Sequence, residues 1–449
     1  MKLTFYGGAG TVTGSNYLLE LNGAKILIDC GLQQGTHFLE RQNFEPFAYD
    51  PKEISAVLIT HAHIDHTGLL PKLVKQGFRG KVYSTPPTKG FAELLLLDSE
   101  HVLLEDAEKF KKPALYGVRE IEELMARWEG VEYHKPFNLY GATFTFYNAG
   151  HILGSAFILI ENKGRRFIFS GDLGNSPAPI IGSREASPEN IDYCLIESTY
   201  GNRVHEDLPK RKEILEDTIE DTVKSGGTLM IPAFAMERTQ ELLFELNELV
   251  ENGRIPKLPI FLDSPLAIKL TAVYKKYKDY FDEETRKLVE SGDSILSFPG
   301  LKMTLTTEES KSINEVPPPK VIIAGSGMST AGRILHHEKR YLSDPKSTLL
   351  IVGYQSTGSL GRRLLDGAKT VKMFGEEIPV KCKIKAIGGY SAHADQPQLV
   401  EWLKPMRQTL KKLFVVQGEE EVSAVFAQKV KDELAIEATV PKPGSVIEI

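Results

Sequence analysis

Thr60-His61-Ala62-His63-Ile64-Asp65-His66-Thr67-Gly68 places three histidines and an aspartate within six residues, directly after the apolar run Ala56-Val57-Leu58-Ile59. Only 11 histidines occur among the 449 residues, so chance is a poor explanation for the cluster. A strand end followed by a helix start bends the chain, and alternate side chains can then converge on one point instead of lining a face. Neutral imidazoles and carboxylates are the ordinary nitrogen and oxygen ligands of zinc. The rest of such a centre should stand in the same kind of place, just beyond a buried strand. Asp29 follows Ile26-Leu27-Ile28, and His151 follows Phe144-Thr145-Phe146-Tyr147-Asn148-Ala149-Gly150. Asp172 follows Phe167-Ile168-Phe169-Ser170-Gly171, and Glu197 follows Tyr193-Cys194-Leu195-Ile196. A single acid in that position is ordinarily a turn or cap residue. Several in register point to a shared metal centre.

The bulk properties fit an enzyme of this kind. The length exceeds the roughly 100–200 residues of one domain, so two or three are expected. The hydrophobic fraction of 41% and charged fraction of 25% are those of a soluble globular protein. No apolar run approaches the roughly 20 residues of a membrane span. Met1-Lys2-Leu3-Thr4-Phe5-Tyr6 runs into a glycine-rich loop without the apolar core of a signal peptide, which gives a cytoplasmic expectation. Cys30, Cys194 and Cys382 are far apart, lack CxxC spacing and sit in apolar runs. They read as buried free thiols, so metal binding must use nitrogen and oxygen. A net charge of −6 excludes whole-molecule attraction to nucleic acid and leaves only a local basic groove for it.

Along the chain, the first two hundred residues read as strands between glycine-rich turns, with helical pattern between Phe91 and Trp128. Residues 17–21, Asn22-Gly23 and 25–29 give a hairpin, because Asn-Gly favours the positive-φ turn that joins twisted strands. From about Leu208, helices at 212–224 and 239–250 alternate with strands at 227–231, 260–262, 321–324 and 349–352. That alternation predicts a parallel-sheet α/β unit. From Lys383 onward the pattern predicts short strands and one helix.

Two glycine-rich loops stand out. Gly7-Gly8-Ala9-Gly10-Thr11-Val12-Thr13-Gly14 leads into a strand and is expected to line the metal cleft. Gly325-Ser326-Gly327-Met328-Ser329-Thr330-Ala331-Gly332-Arg333 follows a strand and opens a helix, so its amides could cradle a phosphate. A dinucleotide reading fails because no acid follows the next strand. Arg362-Arg363, Lys275-Lys276 and His336-His337 read as surface pairs, with the Gly358-Ser359-Leu360-Gly361 context raising Arg362 as a phosphate contact.

The order Asp29, His-x-His-x-Asp-His, His151, Asp172 resembles the metallo-β-lactamase superfamily. Glu197-Ser198-Thr199-Tyr200-Gly201, Gly325-Ser326-Gly327-Met328 and Ser391-Ala392-His393-Ala394-Asp395 resemble its β-CASP nucleases, especially bacterial and archaeal relatives of the cleavage and polyadenylation specificity factor endonuclease. The matching pieces run from residue 8 nearly to the end. The resemblance implies an α/β protein: a metallo-β-lactamase αββα sandwich, residues 1–204 and 385–449, with an inserted β-CASP α/β domain, 205–384, on a mainly parallel sheet. It implies two Zn2+ sites, with His61, His63 and His151 on the first, Asp65 and His66 on the second, and Asp172 bridging them. Asp29 would orient ligands, Asp65 would also serve catalysis, and His393 would be a proton donor paired with Glu197. Ser326, Gly327, Met328 and Arg362 are the expected phosphate contacts. One position departs from the pattern. Gln417, in Phe414-Val415-Val416-Gln417-Gly418-Glu419, stands where RNA-cleaving relatives carry a ligand histidine and DNA-cleaving ones an apolar residue, which implies a weaker second site. The implied function is zinc-dependent hydrolysis of RNA phosphodiester bonds by a metal-bound hydroxide, in RNA processing or degradation. Single-stranded RNA is the expected partner and a homodimer the candidate assembly. A DNA nuclease of the same branch and a catalytically weakened RNA-binding subunit are the alternatives. A small-molecule hydrolase would share the zinc residues but would not need residues 205–384.

Overall fold

The computed structural model describes residues 1–205, 208–353, 355–356, 358–387 and 390–449. The chain divides into two compact units, Met1–Val204 with Ala392–Ile449, and His205–Ser391. The strand Lys383–Ile387 spans the boundary expected at 384/385. It pairs in parallel with Thr348–Val352, so it belongs to the sheet of the second unit.

Among the described residues, the first unit holds two seven-stranded sheets. Alternation along their strands decides which side chains meet. Leu3, Phe5, Leu19, Ile26, Ile28 and Leu58 of one sheet face Phe144, Phe146, Ile158, Phe169, Leu195 and Phe414 of the other in one core. The opposite residues of the second sheet, Phe157, Leu159, Ile168, Cys194, Ile196, Leu413 and Val415, pack against Leu399, Leu403, Phe426 and Val430. Those last four come from the helices Gln396–Leu403 and Glu420–Leu434. On the other side, Leu27, Val57 and Val82 are buried with Leu70, Leu73, Phe91, Ile121 and Leu124 of the helices Leu70–Lys75, Pro86–Phe110 and Val118–Met125. The layering is helix, sheet, sheet, helix, and each fully buried large apolar side chain contributes about 1.5–3 kcal/mol.

The expected hairpin forms: Tyr17–Leu21 pairs with Ala24–Ile28 across Asn22 (φ 49°) and Gly23 (φ 83°). The last segment holds two helices, where the sequence pattern predicted one. In Glu420–Leu434 the buried positions Ser423, Phe426, Val430 and Leu434 recur at three- and four-residue spacing, a stripe thinned by its serine.

In the second unit a six-stranded, wholly parallel sheet runs in the order Leu301–Met303, Ile260–Asp263, Lys320–Ala324, Thr228–Pro232, Thr348–Val352, Lys383–Ile387. Its central strands are buried along their whole length, as expected for a sheet covered on both faces. His337 corrects the surface reading of His336-His337. It lies on the buried stripe Ile334, His337, Glu338 of the helix Ile334–Tyr341, while His336 is exposed. The three cysteines are free and buried. Among the described residues, no helix is long and apolar enough to cross a membrane.

Candidate metal centre

Six strands of the first unit end at one edge. Asp29 follows Ala24–Ile28, and His61 follows Ala56–Leu58, which runs parallel to it. In the second sheet His151 follows Ala142–Asn148 and Asp172 follows Arg165–Phe169. Glu197 ends Tyr193–Glu197, and Gln417 follows Lys412–Val416. Close backbone approach holds the edge together. A Cβ on Gly31 would lie 1.5 Å from the carbonyl oxygen of Asp65, so only glycine lets that segment pass beside the histidine motif.

His61, His63, His151 and Asp172 present ligand atoms that all lie within 4.8 Å of one another. The Nδ1 of His63 is 3.1 Å from the Nε2 of His61 and 3.2 Å from the Nε2 of His151. Each of those two Nε2 atoms is 3.5 Å from Asp172 Oδ2. Four ligands about 2.0–2.2 Å from a tetrahedral zinc stand about 3.3–3.6 Å apart, so this set fits such an ion. Its protonation fits as well. Burial, then the neighbouring imidazoles, hold His61 and His151 well below the usual histidine value, and burial brings His63 down to about 4. Rings kept neutral offer lone pairs. Asp172 stays ionised, because His66 and His61 outweigh the burial that would raise it.

The supporting contacts fix the tautomers. His61 Nδ1 meets Thr60 Oγ1 at 3.1 Å, and that hydroxyl donates to Asp29 Oδ2 at 2.9 Å. His151 Nδ1 donates to the carbonyl of Ala392 at 3.3 Å. Asp29 also accepts from the Thr60 amide at 2.8 Å and from Ser15 Oγ at 3.2 Å, and binds His66 Nδ1 at 2.7 Å. Thr60 and Ala392 were missed by the sequence reading. Thr60 was visible as the first residue of the motif, whereas a backbone carbonyl leaves no trace in side-chain identity.

His66 and Asp65 come to the same edge less tightly. His66 Nε2 is 3.4 Å from Asp172 Oδ1 and 3.8 Å from Asp65 Oδ2. Burial and the charge of Asp172 raise Asp65, with His66 opposing. His66 itself is raised, because Asp172, Asp29 and Asp65 overcome its burial. His393 arrives on the segment that re-enters the first unit. It bridges Gly174, and Ala394 N donates to the Leu173 carbonyl at 2.7 Å. Its Nδ1 lies 3.2 Å from Glu197 Oε1 and 3.9 Å from Asp172 Oδ2. Burial opposes the imidazolium, but Glu197, then Asp172 and Asp65, bring His393 up to about 9. Glu197 is fully buried and accepts from the amides of Leu173 at 2.6 Å and Thr199 at 3.3 Å.

The Gly7–Gly14 loop touches this edge. Gly8 has φ +65°, a Cβ there would lie 2.3 Å from the Tyr17 hydroxyl, and its carbonyl accepts from the Gln417 amide at 2.6 Å. In the second unit, the Gly325 loop follows Lys320–Ala324 and uses several of its own amides. Ser326 N bonds the Ala331 carbonyl, and Ser326 Oγ accepts from the amides of Thr330 and Ala331 at 3.0 and 3.1 Å. Arg362 is exposed, with Nε 3.0 Å from Asp366.

Comparison with known proteins agrees with this geometry. Residues 18–176 match the metallo-beta-lactamase superfamily domain, 239–364 the Beta-Casp domain, and 377–441 the Zn-dependent metallo-hydrolase RNA specificity domain. The chain is 40% identical over 423 residues to Ribonuclease TTHA0252 of Thermus thermophilus, covering 94% of each. It is 32% identical to an RNase J-like protein of Methanocaldococcus jannaschii, with 100% of this chain and 99% of that one covered. It is also 32% identical to the transcription termination factor FttA of Methanosarcina mazei, with 97% of this chain and 70% of that one covered. A crystal structure of a protein of unknown function from Enterococcus faecalis shares the fold at TM-score 0.58 and 13% identity, over 99% of both chains. The chain belongs to the β-CASP branch of the metallo-β-lactamase superfamily, together with RNase J-like and FttA proteins.

Proposed function

We propose that this protein is a zinc-dependent ribonuclease that hydrolyses phosphodiester bonds of single-stranded RNA, leaving 5′-phosphate and 3′-hydroxyl ends. The observation that carries the reading is the four-ligand set His61, His63, His151 and Asp172, with the His393–Glu197 pair 3.9 Å from the same aspartate. Zinc bound there would lower the pKa of water to about 7 and polarise a phosphoryl oxygen. The chain's own groups do the rest. Asp65, its carboxyl raised by burial, takes the proton of the attacking water. The water oxygen bonds to phosphorus, the bond from phosphorus to the 3′ oxygen breaks, and His393 gives that oxygen its proton. Glu197 holds the Nδ1 hydrogen of His393, so Nε2 is the nitrogen that donates. Asp29 and Thr60 position His61 and His66 without touching substrate.

The relatives named ribonuclease and RNase J-like, and the match to an RNA specificity domain, support RNA as substrate. In the second unit, the amides of Gly327 and Met328 with Ser326 and Arg362 are the groups that would take RNA phosphates, while the amides of Ser329, Thr330 and Ala331 bond within the loop. Phosphate contacts make binding weaken with salt. Side-by-side digestion of end-labelled single-stranded RNA and DNA, with and without a chelator, tests the proposal. RNA cut only in the absence of chelator is the expected result. Preferential cleavage of DNA would replace the substrate, and cleavage unaffected by chelation would replace the chemistry.

A further inference from the structure

Resting on the zinc reading above, we propose that the side-chain amide of Gln417 occupies the place of a second cation, so that one divalent ion per chain is the full complement. Gln417 Nε2 lies 2.7 Å from Asp172 Oδ1 and 3.0 Å from His66 Nε2. Asp29 accepts from His66 Nδ1 at 2.7 Å, which fixes the ring with its Nε2 toward the amide. The amide nitrogen therefore donates to the carboxylate oxygen and sits against the ring nitrogen at the same time. Turned the other way, the amide would set its oxygen against the Asp172 carboxylate. The partners thus decide the orientation of the amide.

These two atoms are the ones that a second cation, held by His66 and Asp172, would have to use. The remaining donor would be Asp65, whose Oδ2 stands 3.8 Å from His66 Nε2. Among the described residues, the sets gathered closely enough for an ion are His61, His63, His151, Asp172 and Asp172, Glu197, His393. Neither includes His66 or Asp65.

Gln417 is also held in place. Its amide N–H donates to the Gly8 carbonyl at 2.6 Å, and its carbonyl accepts from Thr199 Oγ1 at 3.1 Å. It is only 2% exposed, and a Cβ on Gly8 would lie 3.3 Å from its Cγ. A buried –NH2 wedged between His66 and Asp172 fills the space between them and ties the first-site ligand Asp172 to the second sheet's last inner strand. A second ion would have to displace the amide from both atoms before it could bind.

The test is metal content by elemental analysis of the full chain, after gel filtration from excess zinc. It compares wild type, Gln417→His and Gln417→Glu, with thermal melts to confirm folding. Gln417→His supplies an imidazole ligand. Gln417→Glu keeps the shape but replaces two N–H donors with a carboxylate, so the site should recruit a cation. One zinc per chain in wild type, rising to two in both variants or in whichever of them folds, is expected. Two per chain in wild type would overturn this inference and leave the zinc reading intact. One per chain in wild type and in the folded variants would overturn it as well, because the amide would not be what excludes the second ion. No zinc in an active wild type would overturn both.

Discussion

Asp172 and Asp263 occupy like positions in different sheets, and the difference between them separates a candidate metal site from a structural pin. Each stands at the carboxyl end of a buried strand, each is buried, and each is beside histidine. Asp263 is saturated with donors: His337 Nε2 at 2.7 Å, Arg333 Nη1 at 2.8 Å, Thr304 Oγ1 at 2.7 Å and Ser310 Oγ at 2.6 Å. Asp172 Oδ2 faces His61 and His151 nitrogens at 3.5 Å, each ring already spending its other nitrogen on Thr60 or Ala392. Lone pairs aimed at a carboxylate demand a cation, and hydrogens aimed at one do not. The composition of a buried cluster is thus a poor guide, and the direction of its hydrogens is a good one.

Substitutions in the two clusters should fail differently. His63→Ala should abolish cleavage and bound zinc together, because it removes the nitrogen common to both short contacts in the set. Elemental analysis and a cleavage assay read this, and retained stoichiometric zinc would contradict it. His393→Ala should keep the metal and slow turnover by roughly 10²–10⁴-fold, the usual worth of a positioned proton donor. Loss of zinc in that variant would mean that His393 is a ligand.

Asp263→Ala should leave zinc content unchanged and cost about 3–5 kcal/mol of stability, because it strands the Arg333 guanidinium and His337 without their carboxylate. Donation from His337, Ser310, Thr304 and Arg333 outweighs burial and holds the Asp263 carboxyl well below its usual value. Its contribution is therefore present above the ordinary aspartate pKa and fades as pH falls below it. Denaturant titrations should show the gap between wild type and variant narrowing in acid, and a gap independent of pH would be the contrary result.

The smallest effect is expected on the helix that carries His337, at the next residue, Glu338. Burial pushes this carboxyl up from 4.5 to about 7, with only Ser329 opposing, and among the described residues its Oε2 has no hydrogen-bond partner. An acid raised on folding stabilises fully below its unfolded pKa and loses that contribution as pH climbs to the folded value. Glu338→Gln should therefore gain on the order of 2–3 kcal/mol at pH 8 relative to pH 4, at about 1.4 kcal/mol per pKa unit. Melting curves at the two pH values would show it, and equal shifts at both would count against it.

What could be read from the sequence follows the same division. The run from His61 to His66 announces itself because its members are adjacent and each lies beyond an apolar strand, as do Asp29, His151 and Asp172. Alternation of helix and strand after Leu208 was enough for the parallel sheet. The Asp263 cluster was not legible, because its partners stand 41 to 74 residues away and include common surface types. His337 looked like half of a surface pair until the helix face containing Ile334 and Glu338 was known. After Lys383 the pattern predicted one helix, and Gln396–Leu403 and Glu420–Leu434 both form. Gln417 was visible as a departure from a pattern, but its contacts with Asp172 and His66 appear only when strands far apart in the chain end at one edge.

Hydrolysis by activated water can be separated from attack by the RNA's own 2′-hydroxyl with a single substrate. An end-labelled RNA carrying one 2′-deoxy nucleotide on the 5′ side of the cleaved linkage should be cut there at nearly the normal rate, giving 5′-phosphate and 3′-hydroxyl ends. Blocked cleavage at that linkage, with 2′,3′-cyclic phosphate from the unmodified RNA, would contradict it.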